Sequence, residues 1–142
     1  MRRAIAVAVL CGGLAACSVP SPFQAWVPVL GTVPGNLVAD RQACNSSYPA
    51  QVGDYLAHAQ CVNAAVERDA IPYARYPDLV RLQEQLRVKY SALIDRGALP
   101  PGEGERRMAE ADEIVSAAMR DRDTGRSAIA DHRVDRLEAM LQ

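Results

Sequence analysis

Leu79, Leu82, Leu86, Tyr90 and Leu93 recur at intervals of three, four, four and three within DLVRLQEQLRVKYSALIDRG. That period places all five on one face of an α-helix, whereas a strand turns over at every second residue and cannot use it. A helix with one apolar stripe is stable only against another such stripe. Further stripes are present. Met108, Ala111, Val115, Ala118 and Arg122 form one, and Ala130, Val134, Leu137 and Leu141 form a shorter one near the end. Upstream, Val52, Tyr55 or Leu56, Ala59, Val62 or Asn63, and Val66 keep the same spacing. Alanine is abundant while aromatic residues make up only 5% of the chain, which favours closely packed helices over a sheet sandwich. The expected fold is all-α, a small helical bundle or helical hairpins of three to four helices.

The punctuation between stripes agrees with this. Pro72 and Pro77 bracket a short connection, with Pro77 suited to the first turn of a helix that ends near Gly97. GALPPGEGE reads as a strong break, and so short a link makes the helices on either side antiparallel neighbours. Thr124 and Gly125 mark a further break before the last stripe. Before all of these, Pro20, Pro22, Pro28 and Pro34 with Gly31 and Gly35 exclude regular helix and central strand. This irregular amino-terminal segment reads as a tether with a span of roughly 25 to 30 Å. It is apolar for a tether, carrying Phe23, Trp26, Val27, Val29 and Leu30. Two readings stand: it lies in a membrane interface, where Trp is favoured, or it packs along the folded domain.

The first residues carry an address. Arg2 and Arg3 precede an uncharged, mostly apolar run from Ala4 to Ala16, well short of the roughly 20 residues that cross a bilayer. A basic start, a short apolar centre and small residues before a cut site are the plan of a secretory signal peptide. Leu14, Ala15, Ala16 and Cys17 resemble the lipobox of bacterial lipoproteins. The resemblance implies cleavage before Cys17, a diacylglycerol on that cysteine and retention on a membrane by lipid. It covers only the first seventeen residues. Ser18 stands where an aspartate retains such proteins in the inner membrane of enteric bacteria, so the resemblance implies the periplasmic face of the outer membrane, with the inner membrane as the alternative. The expected organisation is a cleaved leader at 1–16, a lipid-anchored tether at 17–43 and a disulfide-clamped helical domain at 44–142.

Of the 16 basic residues, Arg2 and Arg3 leave with the leader, so 14 face 17 acids and the mature chain carries a formal charge of −3. The arginines are interleaved with acids, which disfavours nucleic acid as a partner because phosphate binding needs basic residues concentrated on one surface. There is no phosphate loop, haem-attachment motif or serine nucleophile elbow, and no cofactor is implied. Lys89 is the only lysine, so the carboxy-terminal lysine by which the murein lipoprotein joins the cell wall has no counterpart here.

With Cys11 discarded and Cys17 lipidated, Cys44 and Cys61 form an isolated pair in an oxidising compartment, which reads as a disulfide. The sharper alternative is chemical. Asp54, His58 and Cys61 follow at spacings of four and three, on one helical face, and offer the parts of an activated thiol: Asp54 holding His58, and His58 lowering the Cys61 pKa. Cys44 competes for the same sulfur and no oxyanion site is visible, so no catalytic residue is assigned. His58 then reads as a helix-surface residue beside a carboxylate, and His132 as solvated. No metal site is expected, since a four-ligand zinc site needs more Cys or His than the chain has. The sequence therefore favours a non-enzymatic envelope lipoprotein that binds an envelope protein or its own copies. The alternative is a periplasmic inhibitor or enzyme acting on cell-wall material through the clamped loop from Asn45 to Gln60.

Overall fold

The computed structural model describes residues 36–142. The leader, Cys17 and the tether through Gly35 lie outside the described residues, and so do both readings of how the tether packs. Five α-helices follow in order: α1 Leu37–Ser47, α2 Tyr55–Asp69, α3 Pro77–Asp95, α4 Pro101–Asp123 and α5 Ser127–Leu141, with a 3-10 turn at Ile71–Tyr73 between α2 and α3. The fold is all-α, and there is no strand among the described residues.

Successive helices run antiparallel. Asp40 in the first turn of α1 pairs with Arg68 in the last turn of α2. Glu67 near the end of α2 meets Arg81 near the start of α3. Asp78 at the start of α3 meets Arg122 at the end of α4, and Asp121 meets Arg133 of α5.

The helix stops are written locally. At Gly97, φ is +68°, the amide of Ala98 reaches back to the Leu93 carbonyl at 2.9 Å and that of Gly97 to Ile94 at 2.9 Å. This is the paired closure of a helix on a left-handed glycine. Gly125, with φ +73°, closes α4 in the same way through Arg126 to Asp121 at 2.8 Å. It does separate the last two helices.

The helix count exceeds the expected three to four by one, and the difference is α1. It begins at Leu37, inside the segment read as tether, and Leu37 is buried against Val66, Ala70 and Ile71. The domain therefore starts before residue 44. A second difference concerns GALPPGEGE, whose last residues belong to α4. Pro101 occupies its first turn, and Gly104 is needed for close approach, since a Cβ there would sit 2.5 Å from Ile94 Cδ1.

Two apolar clusters form the core. The larger joins α3, α4 and α5 through Leu79, Leu86, Tyr90, Met108, Val115 and Leu137. The smaller joins α1, α2 and the start of α3 through Leu37, Cys44, Val62, Val66, Ile71 and Val80. Every residue of the leucine stripe on α3 takes part in the larger cluster or packs on it.

The start of α2 has no cap of its own. Asp95, at the last turn of α3, supplies one: its Oδ1 accepts from the Gly53 amide at 2.7 Å and the Tyr55 amide at 3.3 Å, and its Oδ2 from the Leu56 amide at 2.8 Å. A carboxylate on the orphan amides of a helix start is favoured by both hydrogen bonding and the helix dipole. Replacing it by alanine is expected to cost about 1–2 kcal/mol. Urea unfolding of Asp95→Ala should show a lower midpoint with an unchanged slope.

Candidate functional site

The feature with most chemistry is a polar layer between the two apolar clusters. Helix α3 is buried on two faces. One is the leucine stripe, and the other reads Val80, Gln83, Glu84, Arg87 and Ser91, all buried. On this second face Arg87 is 3% exposed and donates through Nη1 to Asn63 Oδ1 of α2. Asn63 in turn donates from Nδ2 to the Glu84 carbonyl at 3.1 Å. Gln83 donates from Nε2 to Asp112 Oδ1 of α4 at 2.8 Å. Arg41, on the inner face of α1, brings a second guanidinium toward Asp112.

Burial sets the electrostatics. Desolvation lowers the Arg87 pKa to about 10, against the opposing pull of Glu84. It raises the Asp112 carboxyl to about 7, although the Gln83 hydrogen bond and both arginines act in the other direction. Glu84 is also raised to about 7, by desolvation first and by the nearby Glu67 carboxylate second, with Arg87 and Arg81 offsetting part of the rise. Its buried Oε1 has no hydrogen-bond partner. Two carboxyls that change charge near neutrality, Glu84 buried and Asp112 half-buried, thus lie near two guanidiniums.

The residues singled out in the sequence occupy different surroundings. Cys44 and Cys61 lie at disulfide distance, with sulfurs 1.98 Å apart and Cα atoms 5.8 Å apart. They join the last turns of α1 to the middle of α2. Asp54 precedes α2, and its Oδ2 accepts from Gln51 Nε2. His58 is not a surface residue. It is buried against α1, and its Nε2 donates to Asn45 Oδ1 at 2.7 Å. Burial, then the positive fields of Arg87 and Arg41, lower its pKa, which favours the neutral ring. His58 and Cys61 therefore both face α1, each engaged with a residue of that helix. His132 is exposed. Among the described residues no group of three or more His, Cys, Asp and Glu side chains is placed to hold a metal.

An open groove of about 490 Å³ runs between α4 and α5, lined in part by Glu110, Glu113, Ser116, Arg120, Arg133 and Arg136. Arg136 pairs with Glu110 at its edge, and Arg133 with the buried Asp121 at 2.7 Å. These charges fasten α5 to α4.

The polar layer was missed in sequence because it hides in helical phase among charged residues. Gln83, Glu84 and Arg87 alternate with the leucines of their own helix. The available signal was a second stripe, Val80, Gln83 or Glu84, Arg87, Ser91, at spacings compatible with burial. In comparisons with known proteins the chain matches no family model, no curated protein and no solved structure.

Two predictions arise from this layer. A carboxyl raised on folding binds its proton more tightly in the native state, so its effect is absent below the unfolded pKa and becomes a full penalty above the folded one. For Glu84 and Asp112 the window runs from the ordinary values of 4.5 and 3.8 up to about 7, and stability contributed by these groups falls as pH rises across it. His58, lowered on folding, acts oppositely as pH drops through its own range. Comparing Glu84→Gln with the parent isolates the carboxyl. The variant should be more stable at pH 8 by about 1–2 kcal/mol, because it removes the buried negative charge that folding disfavours, discounted for partial solvent screening, and the gap should close by pH 4. Thermal melts across pH read it directly. The second prediction concerns the cysteines. Peptide mass spectrometry of unreduced native protein should recover Cys44 and Cys61 in one linked species, and reduction should cost about 3 kcal/mol, as the chain-entropy relation gives for a loop of this length.

Proposed function

We propose that this protein is an exported lipoprotein, processed and lipidated at Cys17, whose helical domain works by binding rather than by catalysis. The reading places it on the periplasmic face of the outer membrane, with an envelope protein or a second copy of the chain as partner. The observation that carries it is where the reactive side chains go. Cys61 is drawn into contact with Cys44, and His58 is turned into the protein against Asn45. Two of the three residues that offered a nucleophilic set are parts of the joint between α1 and α2, and the third, Asp54, is engaged by Gln51. The leader and the lipobox resemblance support the address. No described helix is long and apolar enough to cross a membrane.

Cys17→Ser should move the protein from the membrane fraction to the soluble fraction and remove the lipid mass from its amino terminus. Cross-linking in intact cells should then capture a protein partner or a second copy with the parent chain. Turnover of a wall-derived substrate by a strictly monomeric protein, abolished in a folded His58→Gln variant, would instead establish an enzyme.

A further inference from the structure

One end of the bundle collects three features that the binding proposal does not use. The first is topological. The start of α1 lies beside the end of α2, through Asp40 and Arg68. The start of α3 lies beside the end of α4, where Tyr76 Oη donates to Asp123 at 2.8 Å. The start of α5 follows the end of α4 by a short turn. The beginning of α1, the 3-10 turn at Ile71–Tyr73 and the first turn of α5 therefore share one end.

The second feature is apolar exposure. Val38 is 72% exposed, Tyr73 62% and Ile129 48%. They stand in these three segments, one in each. The third is charge. Arg68, Arg75, Arg122 and Arg126 at this end each pair with an aspartate. The end is thus rich in arginine without forming a free basic patch.

The chain before Leu37 emerges at this same end. The roughly 20 residues between Cys17 and Leu37 allow a separation of at most roughly 70 Å at full extension. A lipid on Cys17 would confine the domain to that reach of a bilayer, with this end first along the chain from the anchor. Tyrosine and aliphatic side chains partition into the headgroup boundary, and arginines reach along it with their stems. Tyr48 and Val52, the other large exposed apolar residues among the described residues, belong to the opposite end. They have no chain leading to the anchor.

We propose that the end bearing Val38, Tyr73 and Ile129 rests on the lipid headgroup region and fixes the orientation of the domain, with its opposite end turned away from the membrane. This rests on the lipoprotein reading above. Because the arginines are paired, docking relies on apolar insertion and is insensitive to salt and to anionic lipid.

The test uses the full lipidated chain in phosphatidylcholine vesicles, compared by hydrogen exchange with the Cys17→Ser chain free in solution. Amides of 37–39, 71–76 and 127–130 should exchange about tenfold more slowly on vesicles, while those of 48–54 should not change. Added phosphatidylglycerol or high salt should leave the pattern as it is. The triple variant V38D/Y73D/I129D, altered only at exposed positions, should keep its lipid and its melting temperature but lose the protection. Vesicle-bound lipidated protein with no protection at this end would overturn the docking while leaving the anchor intact. Protection seen in native envelopes but not in lipid vesicles would assign this end to a protein and overturn it equally. A chain found without diacylglycerol at Cys17 would overturn the lipoprotein reading, and the docking with it.

Discussion

The guanidinium of Arg87 sits inside the bundle, and the positions of three helices follow from how it is accommodated. An isolated charge in a protein interior costs several kcal/mol unless polar groups surround it. Arg87 is met by Asn63 of α2 and by the fields of Glu84 on its own helix and Asp112 on α4. Each partner is itself held: Asn63 by the Glu84 carbonyl, Asp112 by Gln83. Shifting α2 along α3 by a turn would separate Asn63 from both its partners. Apolar stripes tolerate such sliding because one leucine replaces another, whereas a buried hydrogen-bonded set does not. The polar layer thus fixes register where an alanine-rich interface would leave it loose.

The same layer explains why α1 belongs to the fold. Eleven residues form a helix that is marginal in isolation, and only Leu37 and Cys44 of α1 are fully buried. Between them on the inner face stands Arg41, directed toward Asp112, and beyond Cys44 stands Asn45, bonded to His58. The helix is held at two heights: Asp40 to Arg68 at its outer end, and Cys44 to Cys61 beside Asn45 to His58 in its last turns. Covalent and polar contacts do here what a long apolar stripe does for α3 and α4.

This division sets what could be read in the sequence. Helices α3, α4 and α5 were legible because their contacts are apolar, and the expected stripe residues Leu79, Leu86, Tyr90, Met108, Ala111, Val115 and Leu137 are buried. Helix α1 was not, because its inner face reads Leu37, Arg41, Cys44 and Asn45, a 3.6-residue pattern with polar residues in half its places. The prolines and glycines just before it also extended the tether reading too far. His58 failed for the same reason. A histidine one turn after Asp54 suggests a surface residue beside a carboxylate, and only the approach of Asn45 from a helix that was not foreseen turns it inward. The cysteine pair was legible from number and the compartment expected of an exported chain, without any knowledge of α1. Glu84 and Asp112 were illegible because a carboxyl's burial depends on neighbours from other helices.

Glu84 marks where the design is least satisfied. Its Oε1 lacks a partner, and the carboxyl lies close enough to Glu67 to be pushed toward its neutral form. Arg81, whose stem crosses from α3 to pair with Glu67, draws that second carboxylate into the same neighbourhood. The ion pair that ties α2 to α3 at the surface therefore adds negative potential at Glu84. A neutral residue of similar shape would serve the packing better, while a full charge at Glu84 would help to balance Arg87. The two demands conflict, and the conflict is met by a carboxyl whose charge changes near neutrality. Arg87 is consequently opposed by more negative charge above pH 7 than below it, and the interaction that fixes the register of α2, α3 and α4 depends on proton concentration even though the guanidinium itself stays charged.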